Sequence, residues 1–252
     1  MKNKFQFIGV FIMLSIAIAF TGCEKDEEPT PGDTMQKLSF HLHTNVGNQE
    51  ADYTTTFADA TGRKFILSDF RYYLSNIVLI KSDGSEYPLT DVVLLVNPAD
   101  QDYELMDVPT GDYKGLTFLF GLDSATNHTD PAIYPAGNPL AIQTPGIHWD
   151  WNSGYIFLKI EGTCDTSLAA NGNPDYPFFY HIGMDGLKRE VDKSSHSFSV
   201  MAGSDKELVL EMDVLDVLAN VDMRTENETH TFNNMPLATK IADNFPSALI
   251  ME

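Results

Sequence analysis

Cysteine, tryptophan and basic side chains are scarce in this 252-residue chain: it has 2 Cys, 2 Trp and 16 Lys plus Arg against 36 Asp plus Glu. A basic set this small, with no clustered run, excludes nucleic acid as a partner, because phosphate binding needs grouped Lys and Arg. The motifs of common catalysis are missing too: there is no HExxH, no paired-cysteine motif, no phosphate-cradling glycine loop and no GxSxG. Glu161 and Asp165 could pair as glycosidase carboxylates, yet 36 acids give no reason to choose those two. Aspartates beside glycine in "SDGSE" and "GMDGLKRE" lack the spacing of an EF-hand and read as turn formers. The chain is therefore expected not to be an enzyme.

The first residues predict where the protein resides. Lys2 and Lys4 form a basic start, residues 5–20 are almost wholly apolar, and "FTGC" ends at Cys23. That is the pattern of a bacterial lipoprotein signal. Sixteen residues are short of the roughly 20 that span a bilayer. Residues 1–22 are expected to be removed and Cys23 lipidated, which anchors the protein to a membrane without crossing it. The expected place is the outer membrane, on its periplasmic or cell-surface side. Residues 23–36 include "EKDEEPTPGD", too charged and too rich in turn formers to fold, and read as a flexible acidic tether. Its acids serve either as a solvated spacer or as a surface-export signal. From Cys23 onward the chain carries 14 basic and 36 acidic residues, a formal charge of −22. With Cys23 lipidated, Cys164 has no partner in the chain, and the fold must rest on its core rather than on a disulfide.

Residues 37–252 read as one β domain. "KLSFHLH" (37–43) and "FRYYLSNIVLI" (70–80) alternate apolar and polar residues. "DVVLLVN" (91–97), "YKGLTFLFGL" (113–122), "GYIFLKIEG" (154–162), "DYPFFYHIG" (175–183), "HSFSVMA" (196–202) and "KELVLEMDV" (206–214) are rich in β-branched and aromatic residues. Turn chemistry between them suggests antiparallel neighbours. Helical spacing is confined to 213–221 and 235–245. The pattern predicts an all-β antiparallel sandwich or flattened barrel with one or two short C-terminal helices.

Both tryptophans fall in "GIHWDWNSGYIFLKIEG" (146–162), beside His148. The wider stretch 118–162, with "FFYHIG" (178–183), "LSDFRYYLSNIVL" (67–79), "DGSEYPL" (83–89) and "VPTGDYKGLTF" (108–118), resembles the MbnP-like family in the family's order across most of residues 37–185. These are relatives of a periplasmic protein linked to the copper-binding peptide methanobactin. The resemblance implies a mononuclear copper site of histidines and a tryptophan oxidised to kynurenine by a dihaem peroxidase-like partner. Imidazole suits copper, and an aniline-type nitrogen would add a weak, soft donor. An unmodified indole has no nitrogen lone pair to offer, so Trp149 could coordinate only after oxidation. Residue by residue, the resemblance selects His43 in "FHLHTNVG", His181 in "FFYHIG", and Trp149 with Trp151. His41, His148 and His128 are further candidate metal ligands. Family members linked to methanobactin carry cysteines after the second histidine motif, whereas Met184 and Asp185 stand here. His196 and His230, with no motif around them, read as surface residues.

Each candidate also has an ordinary reading. Strand histidines commonly serve as hydrogen-bonded core or surface groups, and paired aromatics commonly fill β cores. A second function therefore stands beside copper binding: a metal-free surface lipoprotein whose β-sandwich presents aromatics and acids to a glycan or a protein partner.

Overall fold

The structure is a computed structural model that describes residues 34–149 and 154–252. In chain order its strands are β1 (Met35–Val46), β2 (Gln49–Glu50), β3 (Phe57–Ala58), β4 (Lys64–Lys81), β5 (Glu86–Pro88), β6 (Val93–Val96), β7 (Asp102–Pro109), β8 (Gly111–Phe120), β9 (Leu158–Cys164), β10 (Tyr176–Ile182), β11 (Arg189–Lys193), β12 (Phe198–Val200), β13 (Lys206–Asp213), β14 (Glu228–Thr229) and β15 (Leu249–Met251). Among the described residues three α-helices accompany them: α1 (Ser124–Asn127), α2 (Val214–Val217) and α3 (Met235–Ala248). The all-β expectation holds. Of the two C-terminal helices, the first shrinks to one turn and the second runs on to Ala248. Among the described residues, no helix is long and apolar enough to cross a membrane.

Two curled sheets share one core. The five-stranded sheet runs β15-β13-β1-β2, with β7 also on β1. The ten-stranded sheet runs β11-β8-β4-β9-β10-β14, and β3, β5 and β6 join β4 while β12 joins β8. Strand β7, absent from the strands expected from sequence, pairs antiparallel with β1. Not every neighbour is antiparallel: β1 with β13 and β10 with β14 run parallel. The period of two decides what each sheet buries. On β1 the even positions Leu38, Phe40, Leu42, Thr44 and Val46 face inward, and the Phe40 ring meets Phe118 of the other sheet at 6.2 Å. On β10 the inward set is Phe178, Tyr180 and Ile182. The remaining residues of both strands, histidines included, point away from the shared core.

Strand β4 changes parity along its length. Phe65 and Leu67 are buried before a register shift against β9, and Phe70 and Tyr72 after it. One extra residue at such a bulge moves all following side chains to the opposite face. Asp69 and Arg71 thereby come to the outer face beside the outward residues of β9. The sheet is closed at one end by α3, whose Phe245 stacks on Phe120 at 4.0 Å and meets Tyr72 edge-on at 5.1 Å.

Candidate metal centre

On the outer face of the ten-stranded sheet, cross-strand register aligns two rows of side chains. Arg71 of β4, Lys159 of β9 and His181 of β10 are direct neighbours in one row. Asp69, Glu161 and Phe179 form the next, and Glu228 of β14 extends it. His230, just past β14, takes the place beside His181. Opposite charges thus meet diagonally. Arg71 grips Asp69 through two bonds of 2.7 and 2.5 Å, Lys159 Nζ lies 3.1 Å from both Asp69 and Glu161, and His181 Nε2 lies 2.8 Å from Glu161 Oε1. The four charges other than His181 sum to zero, which lets Lys159 and Asp69 stay about 5% exposed.

Glu161 fixes one proton at this site. The His181 ring and the Lys159 ammonium hold the Glu161 carboxyl down at about 2, so it is ionised and only accepts. His181 Nε2 must then donate to it. On the far side of the ring, His181 Nδ1 lies 2.9 Å from His230 Nδ1, a hydrogen bond in which one of the two nitrogens carries the proton. Burial and the facing His181 push His230 below the usual histidine range, keeping it neutral near pH 7. Its outer nitrogen, Nε2, points to Glu228 at 3.7 Å. Two imidazoles therefore face each other through Nδ1, each with a carboxylate behind it.

Trp149 closes the site from one side. Its backbone N–H donates to Gly154 across residues 150–153, and the ring is 6% exposed. The six-membered ring packs on Gly183, two residues after His181, and its centroid lies 5.9 Å from Phe232, two residues after His230. Thr231 ties these two segments together, with its hydroxyl donating to the His181 carbonyl and accepting from the Gly183 N–H. The loop leading to Trp149 is fastened through its carbonyls: Pro139 to the Tyr73 hydroxyl, Leu140 to Tyr155, Pro145 to Arg71 and Gly146 to Lys159.

The other candidates are dispersed. His43 and His181 do not lie on neighbouring strands, and each faces outward from a different sheet, because the alternation that buries Phe40 and Tyr180 turns both histidines away. His43 has Glu50 at 3.7 Å and the ring of His41 at 4.7 Å. His41 Nδ1 meets Asp102 at 2.6 Å, and with Glu207 these two offer donor atoms within 4.8 Å of one another, the two acids exposed. His128 contacts Asp185 at 3.3 Å. His148 forms an isolated bridge with Tyr155, its ring edge-on at 4.8 Å. Trp151 and Cys23 lie outside the described residues. Sequence reading treats His230 as surface and misses it. The signal is the alternation in "ETHTF" (228–232), where Thr229 and Thr231 are buried and Glu228 and His230 are not.

Comparison with known proteins agrees with this architecture. MbnP from Methylosinus trichosporium has a similar solved structure, with a TM-score of 0.50 and 18% sequence identity, covering 73% of this chain and 78% of that chain. At this identity the likeness is one of fold. No curated protein matches the chain. The MbnP family model matches residues 35–235, a span that holds every strand of the site and both facing histidines. The chain belongs to the MbnP family.

Proposed function

We propose that this chain is a copper-binding protein of the cell envelope rather than an enzyme, anchored by lipid on Cys23, with His181 and His230 as its nitrogen donors. The supporting observation is the pair of Nδ1 atoms facing each other at 2.9 Å. The donor set fits the metal: imidazole suits copper, and bonds of about 2.0 Å from nitrogen to metal can span such a pair. Copper would supply a redox-active cation held by imidazole nitrogens. The protein's own part is to aim two Nδ1 atoms at one point, where they share a proton that a metal would displace, with Glu161 bonded behind His181. Trp149 packs on the segments that follow both histidines, which supports it as a further donor once oxidised to kynurenine. That oxidation requires a partner of the dihaem peroxidase type.

The binding-module alternative fares less well on one observation. A glycan platform built on Trp149 needs that ring exposed, and Trp149 is 6% exposed. Copper competition on the full chain in detergent tests the proposal. Sub-micromolar binding is expected, weakened at least about tenfold by His181→Ala and by His230→Ala, and unchanged by His43→Ala. Wild-type protein that retains no copper, or a loss that follows His43 and spares His230, overturns the reading.

A further inference from the structure

Lys159 is about 5% exposed in the centre of the outer face, and its three N–H donors have three acceptors. They are Asp69 Oδ2 at 3.1 Å, Glu161 Oε1 at 3.1 Å and the Gly146 carbonyl at 3.3 Å. The first acceptor is itself gripped by Arg71, which also holds the Pro145 carbonyl at 3.0 Å. The second accepts from His181. The third belongs to the loop that ends in Trp149. One ammonium group therefore touches the carboxylate that orients His181 and the loop that carries the tryptophan.

We propose that Lys159 is the positioning residue of this site, fixing the His181 tautomer through Glu161 and fastening the Trp149 loop through Gly146, so that imidazole and tryptophan are presented together. This inference rests on the copper reading for its purpose but not for its geometry. Lys159 Nζ, 3.1 Å from both Asp69 and Glu161, holds in place the Glu161 oxygen that lies 2.8 Å from His181 Nε2, and a carboxylate held there keeps a proton on Nε2. Carboxylates behind ligating histidines generally set ring orientation, and their loss weakens metal binding about 10–100-fold. Replacing Lys159 with a neutral, apolar side chain removes the cation from between Asp69 and Glu161. Mutual repulsion then drives Glu161 outward, toward solvent and off His181. Gly146 loses its donor at the same time.

The test uses the full chain labelled with nitrogen-15 at histidine, comparing wild type, Lys159→Arg and Lys159→Met. In the wild type, the imidazole nitrogen shifts should show His181 protonated at Nε2, and amide exchange at Leu140, Ala141 and Trp149, whose N–H groups are hydrogen-bonded, should be slow. Lys159→Arg should preserve both. Lys159→Met should give mixed tautomers, faster exchange in that loop, and copper binding weaker by about 10–100-fold. If Lys159→Met does not fold, Lys159→Gln, which keeps one donor group and loses the charge, takes its place with the same tautomer expectation. A lysine-free variant that keeps His181 protonated at Nε2 and loop exchange slow overturns the positioning role. Wild-type protein that binds no copper overturns the functional reading alone, because tautomer and exchange are measured without metal.

Discussion

The six-membered ring of Trp149 lies directly against the Cα of Gly183, closely enough that a Cβ there would stand 2.7 Å from two ring carbons and 2.5 Å from the Tyr155 carbonyl oxygen. Glycine at this position is what lets the tryptophan approach the strand that carries His181. Backbone cannot yield cheaply, so the added methyl must displace either the ring or the chain.

Gly183→Ala is accordingly expected to lower stability by about 1–3 kcal/mol, as overpacked sites do, and to shift tryptophan emission to longer wavelength as Trp149 is lifted from its slot. Chemical denaturation followed by fluorescence measures both. Wild-type stability with an unchanged spectrum would show that the contact is not tight.

Cys164 is fully buried, with its thiol aimed at the Met223 carbonyl at 3.5 Å, and burial pushes it up to about 11. A thiol reagent at pH 8 should leave the native protein unlabelled and react after denaturation. The sign for stability follows from the direction of the shift. Because the folded thiol holds its proton more tightly than the unfolded one, its contribution is intact below the ordinary value of 9.0 and is lost as the pH rises through about 11. Rapid native labelling at pH 8 would contradict this. Added reductant should not alter the melting temperature, since Cys164 is a free thiol.

Helix α3 lies almost wholly past the family-matched span, yet it closes the core through Phe245, stacked on Phe120. Phe245→Ala should cost about 3–5 kcal/mol, the usual loss for a buried phenylalanine. Urea titration monitored by circular dichroism gives the figure. A loss below 1 kcal/mol would mean that the helix contributes little to the cooperative unit.

Lipid attachment at Cys23 predicts incorporation of labelled fatty acid into the wild type and none into Cys23→Ala. Equal label in both proteins, or label in neither, would remove the anchor from the proposal.

Alternation made much of the fold legible. In "KLSFHLH" and "YPFFYHI" the apolar residues recur every second position, so strand identity and the outward direction of His41, His43 and His181 follow from the sequence itself. Strand β7 was less legible because a register shift at Leu105 breaks the alternation that Tyr103 and Leu105 begin and Val108 ends. The motif around the tryptophans pointed to Trp149 and His181, which the fold brings near each other across Gly183.

The sequence by itself determined local direction in the alternating strands: which face their residues take and where turns fall. Only the tertiary structure decided which outward faces meet. His43 and His181 share parity but belong to different sheets, and local periodicity carries no information about pairing between distant strands. His230 reaches His181 because β14 adds in parallel to β10, a contact spanning 49 positions in the chain. Asp69 and Arg71 join the charged rows because a bulge in β4 reverses the side they face, and no pattern in "FILSDFRYYL" announces it. Pairing and register are settled by burial of the whole core at once, a global balance of energies that no single segment encodes.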